Sequence, residues 1–167
     1  MEKQLFENLY EEYYSKVYRL CLGYLGNSQS AEDLCQEIFV KIFQKYESFE
    51  QKSSVGTWIY RIAVNTCLNQ LRKEKKNLIQ PISEKEIEKT ETTTHASKED
   101  NLQLLQFCIQ KLNEIDRILI TLVLEDIPYT QISETLGISE ANVRVKVHRI
   151  KKELKKLFET HQENYSI

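Results

Sequence analysis

The chain has 167 residues, with 23 Lys+Arg against 25 Asp+Glu and a formal net charge of −2. That length suits one ordinary domain or two small ones, and 41% hydrophobic with 29% charged residues describes a soluble globular chain rather than a disordered one. Only 4 Gly and 2 Pro argue against an all-β sandwich or barrel, which needs frequent tight turns, and the near-zero charge sum, taken alone, argues against a nucleic-acid binder.

The four cysteines, Cys21, Cys35, Cys67 and Cys108, include no C-x-x-C pair. They offer neither a zinc knuckle nor a thioredoxin-type redox motif, and read as buried or half-buried thiols in a reducing cytosol. Met1-Glu2-Lys3-Gln4 opens no signal peptide, and no apolar run approaches the ~18–20 residues of a membrane span. A cytoplasmic protein is expected.

In chain order, the first apolar pattern runs from Leu5 to Leu25, with Leu5, Phe6, Leu9, Tyr13, Val17, Leu20, Cys21 and Tyr24 stepping by three and four. It ends near Gly23 and Gly26. Ser30 followed by Asp33 resembles a capping box with a shortened acid. A second helix is predicted from about Ala31 to Tyr46, with Leu34, Ile38 and Ile42 on one stripe and Cys35, Phe39 and Phe43 beside it. The loop Glu47–Ser54 follows. Gly56 and Thr57 open a third helix through Trp58, Ile59, Ile62, Ala63, Thr66 and Leu71 into Arg72-Lys73-Glu74-Lys75-Lys76.

From Pro81 to Asp100 there are six acids, three lysines and no aromatics, with a threonine cluster at Thr90, Thr92, Thr93 and Thr94. Such a segment cannot bury a core and reads as a linker, allowing a short helix around Ser83–Lys89. Beyond it, Leu102, Leu105, Cys108, Ile109 and Leu112 form one stripe, and Ile115, Leu119, Leu122 and Val123 another, ending before Pro128. The expectation is an all-α protein: two small helical domains joined by a flexible linker, with boundaries at 1–77, 78–100 and 101–160 and a frayed tail at 161–167.

Tyr129–Arg149 carries the strongest local signal. A helix-turn-helix needs two short helices at a steep angle joined by a tight turn that often contains Gly. Ile132 and Leu136 are the apolar contacts of the first helix, Gly137 supplies the turn, Ile138 plugs the corner and Ser139 caps the second helix. Val143, Val147, Ile150, Leu154 and Leu157 place one stripe inward. At ~100° per residue the opposite face centres on Ala141, Val145, His148 and Lys152, flanked by Arg144 and Arg149. Small apolar groups among long donors suit base edges: Arg pairs bidentately with guanine and a small side chain meets a thymine methyl. Between Arg144 and Lys156 there are seven basic residues and one acid, Glu153. A solvated basic helix face is the plainer alternative; the Gly turn and Ser cap at matching positions favour DNA.

Lys52–Lys76 holds six basic residues and one acid, Glu74, with Trp58 and Tyr60 interleaved and Phe49 just before. Positive charge with aromatics is what single-stranded DNA requires, although a Trp on a helix is more often core. The polar face of Asp33, Gln36, Glu37 and Lys41 lies in an acidic stretch that DNA repels, so it suits a protein partner or solvent.

Both halves together resemble a family. Ala31-Glu-Asp-Leu-Cys-Gln-Glu-Ile-Phe39 is similar to the "AEDLxQExF" core of the second conserved region of extracytoplasmic-function sigma factors. Thr57-Trp-Ile-Tyr-Arg-Ile-Ala-Val-Asn65, followed by Leu71-Arg72, resembles that family's "TWLYRIAxN…LR", and Tyr129–Leu154 resembles its fourth region. The likeness covers roughly residues 5–77 and 101–158 in the family's order.

The resemblance implies a non-catalytic, dissociable subunit of bacterial RNA polymerase. Asp33, Gln36 and Glu37, with Phe39 and Phe43 as apolar neighbours, would dock on the clamp of the largest subunit, and the fourth region on the flap of the second-largest. The loop Phe49–Ser54 and the helix Trp58–Arg72 would hold the melted minus-10 strand through Phe49, Lys52, Ser53, Trp58, Asn65, Asn69 and Arg72, with a flipped base read in a pocket. Arg61 stays open between that strand and pairing with an acid of the preceding helix. The helix from Ser139 would enter the minus-35 major groove with Ser139, Asn142, Arg144, Val145, His148, Arg149 and Lys152. The linker would thread near the RNA exit path. An anti-sigma factor, often membrane-tethered, would hold the protein inactive; no cofactor and no metal is implied. Where the family usually carries Gly-Thr-Val-Lys-Ser-Arg, this chain has Ala141-Asn-Val-Arg-Val-Lys146, with Val145 in place of a Ser on the DNA face.

The competing reading is a free-standing helix-turn-helix regulator whose first half senses or dimerises. An enzyme has little support: His95, His148 and His161 fall in the linker, the DNA helix and the tail, and there is no H-E-x-x-H, P-loop or G-x-G-x-x-G. The charge sum is itself a cancellation. Met1–Glu50 carries nine acids and five bases and Pro81–Thr130 ten acids and five bases, leaving the positive charge concentrated in the two stretches assigned to DNA.

Overall fold

The computed structural model describes residues 3–77 and 98–164. They form seven α-helices: α1 (Lys3–Leu25), α2 (Ser28–Lys45), α3 (Val55–Asn77), α4 (Lys98–Lys111), α5 (Glu114–Leu124), α6 (Tyr129–Leu136) and α7 (Glu140–Asn164), with a 3₁₀ turn at Tyr46–Ser48 and no strand among the described residues. The possible helix at Ser83–Lys89 falls outside them. Two ends differ from the sequence expectation. Lys98–Asp100, assigned to the linker, are already helical in α4, and the tail expected to fray at His161 continues as helix to Asn164. The His161 ring meets Phe107 edge-on, with centroids 5.2 Å apart, which gives the last turn a packing partner.

Helix ends follow from side-chain chemistry. Gly26 takes φ +72°, the left-handed conformation that stops α1, and its N–H donates to Leu22 O at 2.8 Å. The cap of α2 is Asn27 rather than the expected Ser30. Asn27 is extended and its Oδ1 accepts from the Ser30 N–H at 2.9 Å, so the helix starts two residues before Ser30. Asn113 caps α5 in the same way, accepting from the Asp116 N–H at 3.1 Å.

The first three helices bury Leu9, Val17, Leu20 and Tyr24 of α1, Leu34, Ile38 and Ile42 of α2, and Ile59, Tyr60 and Ala63 of α3. Cys21, Cys35 and Cys67, one from each helix, meet in this interior as buried free thiols, with Cys21 hydrogen-bonded to both others. Cys108 is also buried and free. In the second half, Val143, Val147 and Ile150 of α7 face Ile118, Leu119 and Leu122 of α5 and Ile132 of α6.

Three apolar positions read as core from periodicity alone are at the surface. Leu102 and Ile115 lie near the starts of α4 and α5, and Leu5 near the start of α1. Conversely, Ile118 through Leu122 of α5 are all buried. A helix buried around its circumference needs cover on both sides. Here α6 and α7 supply one side and α1 the other. The two helical domains therefore share one continuous hydrophobic cluster running from Leu9 to Ile150.

Candidate nucleic-acid and polymerase interface

The helix-turn-helix forms as expected. Gly137 sits at φ +67°, ψ +32° as the C-cap of α6, its N–H donating to Ser133 O, and the Ser133 hydroxyl donates to Ile138 O at 2.7 Å. The φ value is one that only glycine adopts at little cost, which is why the turn carries Gly here. Ser139 Oγ accepts from the Asn142 N–H at 3.2 Å, so its side chain is used as the cap of α7.

From that start, Asn142, Val145, His148, Arg149 and Lys152 all face solvent, with Val145 at 68% exposure. The arginines on this face already hold partners. Arg144 is ion-paired with Glu140 one turn earlier and its guanidinium lies 5.7 Å from the Tyr129 ring centroid. Arg149 Nη2 donates to Asp116 Oδ2 at 2.6 Å, tying α7 to the start of α5. Asn142, His148 and Lys152 are thus the exposed polar groups for which no such contact fixes the direction, and Val145 is a bare methyl surface between them.

On α3, Asn65, Asn69 and Arg72 are exposed at intervals of four and three, making a single polar stripe. Arg61 continues it one turn earlier, a regularity visible in the sequence. It pairs with no acid of the preceding helix. Its Nε and Nη2 donate to the backbone carbonyl of Glu134, at 3.0 and 2.9 Å. Trp58 is half-buried and packs against Phe49 (centroids 5.0 Å, interplanar 35°) and Tyr46 (6.1 Å, 79°), so it holds the loop onto the helix as well as offering an edge to solvent. Lys52 is exposed at the loop tip and ion-paired with Glu50, and Ser53 is half-buried beside it.

On α2, Asp33 and Gln36 are exposed, while Glu37 accepts from Lys41 Nζ at 2.6 Å; Lys41 also reaches Thr66 Oγ1 at 3.3 Å. Phe43 is 48% exposed and fits the expected surface, but Phe39 does not. Phe39 is 3% exposed beneath Phe6, Tyr10 and Tyr14, because the aromatic row of α1 closes over it. It supports the surface from below rather than meeting a partner. The exposed apolar group that periodicity overlooked is Val40, at 54%, between Gln36 and Phe43 on the same face.

Among the described residues no group of His, Cys, Asp and Glu is arranged to hold a metal ion, and no helix is long and apolar enough to cross a membrane. Residues 9–77 match the family model of sigma-70 region 2 and residues 102–154 that of sigma-70 region 4. The chain is 31% identical over 170 residues to the ECF RNA polymerase sigma factor SigW of Bacillus subtilis, covering 93% of this chain and 89% of that one. It is also 31% identical over 157 residues to the RNA polymerase sigma factor YlaC of the same organism, covering 90% of each. Among solved structures, the sigma factor RpoE of Bartonella quintana, crystallised with the anti-sigma factor NepR, superposes with a TM-score of 0.76 at 19% identity over 92% of this chain and 96% of that one. CnrH, in complex with the cytosolic domain of CnrY, gives 0.68 at 16% identity over 95% of this chain and 90% of that one.

Proposed function

Because the chain belongs to the extracytoplasmic-function sigma factors of RNA polymerase, we propose that it is a promoter-specificity subunit with no catalysis of its own, acting in the cytoplasm. The α2 surface of Asp33, Gln36, Glu37 and Phe43 docks on the polymerase clamp, and α4–α7 on the flap. The stripe Asn65, Asn69, Arg72 and the loop Phe49–Ser53 hold the melted minus-10 strand. The α7 face of Asn142, Val145, His148 and Lys152 reads the minus-35 duplex, with Arg144 and Arg149 at its edges. An anti-sigma factor, like the NepR bound to RpoE of Bartonella quintana, is the expected inhibitor and a candidate membrane tether.

The observation that carries this reading is the placement of the two basic stretches. On α3 Asn65, Asn69 and Arg72, and on α7 Asn142, His148, Arg149 and Lys152, are turned to solvent while the opposite side of each helix is locked into the core, as a surface for a polyanion requires. A free-standing helix-turn-helix regulator is not favoured, since a sensing or dimerisation domain gives no reason for residues 9–77 to match sigma-70 region 2. Run-off transcription with core polymerase on genomic fragments tests the proposal. New start sites dependent on the protein are expected; none on any fragment overturns it.

A further inference from the structure

Val145 is the most exposed large apolar side chain among the described residues, at 68%. It lies within the first two turns of α7, on the side opposite the buried Val143, Val147 and Ile150. Neither the core nor the helix gives a reason for valine there. A β-branched residue is a poorer helix former than lysine or glutamate, and methyls left in water are unfavourable. Ala141, one turn earlier, is also exposed and adds a second short apolar group to the face.

The two arginines beside it are engaged within the chain. Arg144 is ion-paired with Glu140, and its guanidinium lies 5.7 Å from the Tyr129 ring centroid. Arg149 Nη2 donates to Asp116 Oδ2 at 2.6 Å, and Asn113 Nδ2 holds the same oxygen. Arginine reads guanine with two parallel N–H donors. A guanidinium drawn to a carboxylate of its own chain has already committed part of that fork. What remains at the centre of the face is a methyl surface.

We propose that Val145 is a specificity-determining residue that selects thymine in the minus-35 duplex by packing on its 5-methyl group. The proposal rests on the promoter assignment made above. In the major groove the base edges display donors, acceptors and a single apolar feature, the thymine methyl. Valine has no group that can hydrogen-bond an edge, so only that methyl rewards its approach. A guanine oxygen or a cytosine amino group set against it loses water without gaining a partner. The preference thus combines attraction to one base with desolvation of the others. The side chain is prepared for the contact, because a valine in a helix has one strongly preferred χ1 rotamer and loses little freedom on binding. Its position suits the role as well, since the N-terminal residues of a recognition helix are those that reach base edges.

The test uses the full-length chain with core polymerase on a promoter duplex taken from a start site found by run-off transcription. Each minus-35 thymine is replaced in turn by deoxyuridine, which removes the methyl and keeps the base pair. At one position affinity is expected to fall roughly threefold or more, and in Val145→Ser the same replacement is expected to change nothing. Each comparison is a ratio within one protein, so any loss of folded material cancels. Cytosine in place of that thymine, paired with guanine, is expected to bind more weakly, and 5-methylcytosine there to recover affinity severalfold. Uracil tolerated at every position, sensitivity that persists in Val145→Ser, or equal binding of cytosine and 5-methylcytosine overturns the proposal. Uracil tolerated throughout while Val145→Ser weakens pull-down of core polymerase assigns the residue to a protein contact, which also overturns it. No start site on any fragment removes the promoter assignment and the proposal with it.

Discussion

The Arg149 guanidinium on the solvent-exposed side of α7 donates to the carboxylate of Asp116, a side chain only 2% exposed at the start of α5. The same oxygen accepts from Asn113 Nδ2 at 2.6 Å, so the carboxylate is fixed by the cap of α5 and Arg149 is fixed by the carboxylate. Arg149→Ala therefore has two separable effects. It leaves a buried carboxylate without its cation, which is expected to lower the melting temperature by several degrees. Combined with Asp116→Asn, the loss should be smaller than the sum by ~1–3 kcal/mol in a denaturation cycle; strict additivity refutes the coupling. If Arg149 also reads a base, holoenzyme gel shifts lose ~1–3 kcal/mol at one promoter position only, whereas a phosphate contact weakens all sequences alike.

At Gly137 the strain and the space can be told apart. A Cβ there meets nothing within 4 Å, so only φ +67° resists substitution. Gly137→Ala should cost ~1–2 kcal/mol in urea denaturation from left-handed strain, and Gly137→Asn clearly less. Promoter affinity per folded molecule should be unchanged in both. An equal cost for Ala and Asn contradicts this account.

Phe39 and Phe43 are one turn apart on α2 with opposite fates. Phe39→Ala opens a cavity beneath Phe6 and Tyr10 and is expected to cost ~3–5 kcal/mol. Phe43, half in solvent, should lose little stability on truncation while weakening pull-down of core polymerase. Gln36→Ala with Glu37→Lys should abolish that pull-down with the helical circular-dichroism signal intact. Retained binding removes the clamp assignment.

The buried thiols make the fold sensitive to alkali. The hydrogen bond to Cys21, then burial, push the Cys35 thiol up, and burial raises that of Cys108. Folded chains keep these protons above the ordinary thiol pKa of about 8.5, where unfolded chains release them. The unfolded state then binds fewer protons, so stability falls as pH rises through that value and is unaffected well below it. The urea midpoint should drop between pH 7.5 and 9.5, and iodoacetamide at pH 8 should label cysteines only after unfolding. Rapid labelling of native Cys35 contradicts the buried cluster.

How much of this was legible beforehand depended on the range of the forces involved. Helix number, the Gly137 turn, the Ser139 cap and the inward stripe of α7 are local: each follows from 3.6-residue periodicity, backbone sterics and a side chain bonding its own neighbours. The α3 stripe was legible for the same reason, and Arg61 and Val40 could have been added to their faces by counting turns. Burial was less so. Periodicity says which side of a helix is apolar but not how far along it a neighbour extends, which is why Leu5, Leu102 and Ile115 are exposed and Phe39 is not available to a partner.

Sequence alone therefore determined an all-helical chain in two halves, with the positive charge concentrated in two stretches, Lys52–Lys76 and Arg144–Lys156. Only the tertiary structure decided that Arg149 is held by Asp116, that Arg61 is held by the Glu134 carbonyl, and that α5 is covered by both halves. Those contacts join residues 33, 73 and about 100 positions apart. Pairings at such separation leave no periodic trace; they are set by which surfaces fit once the helices have formed.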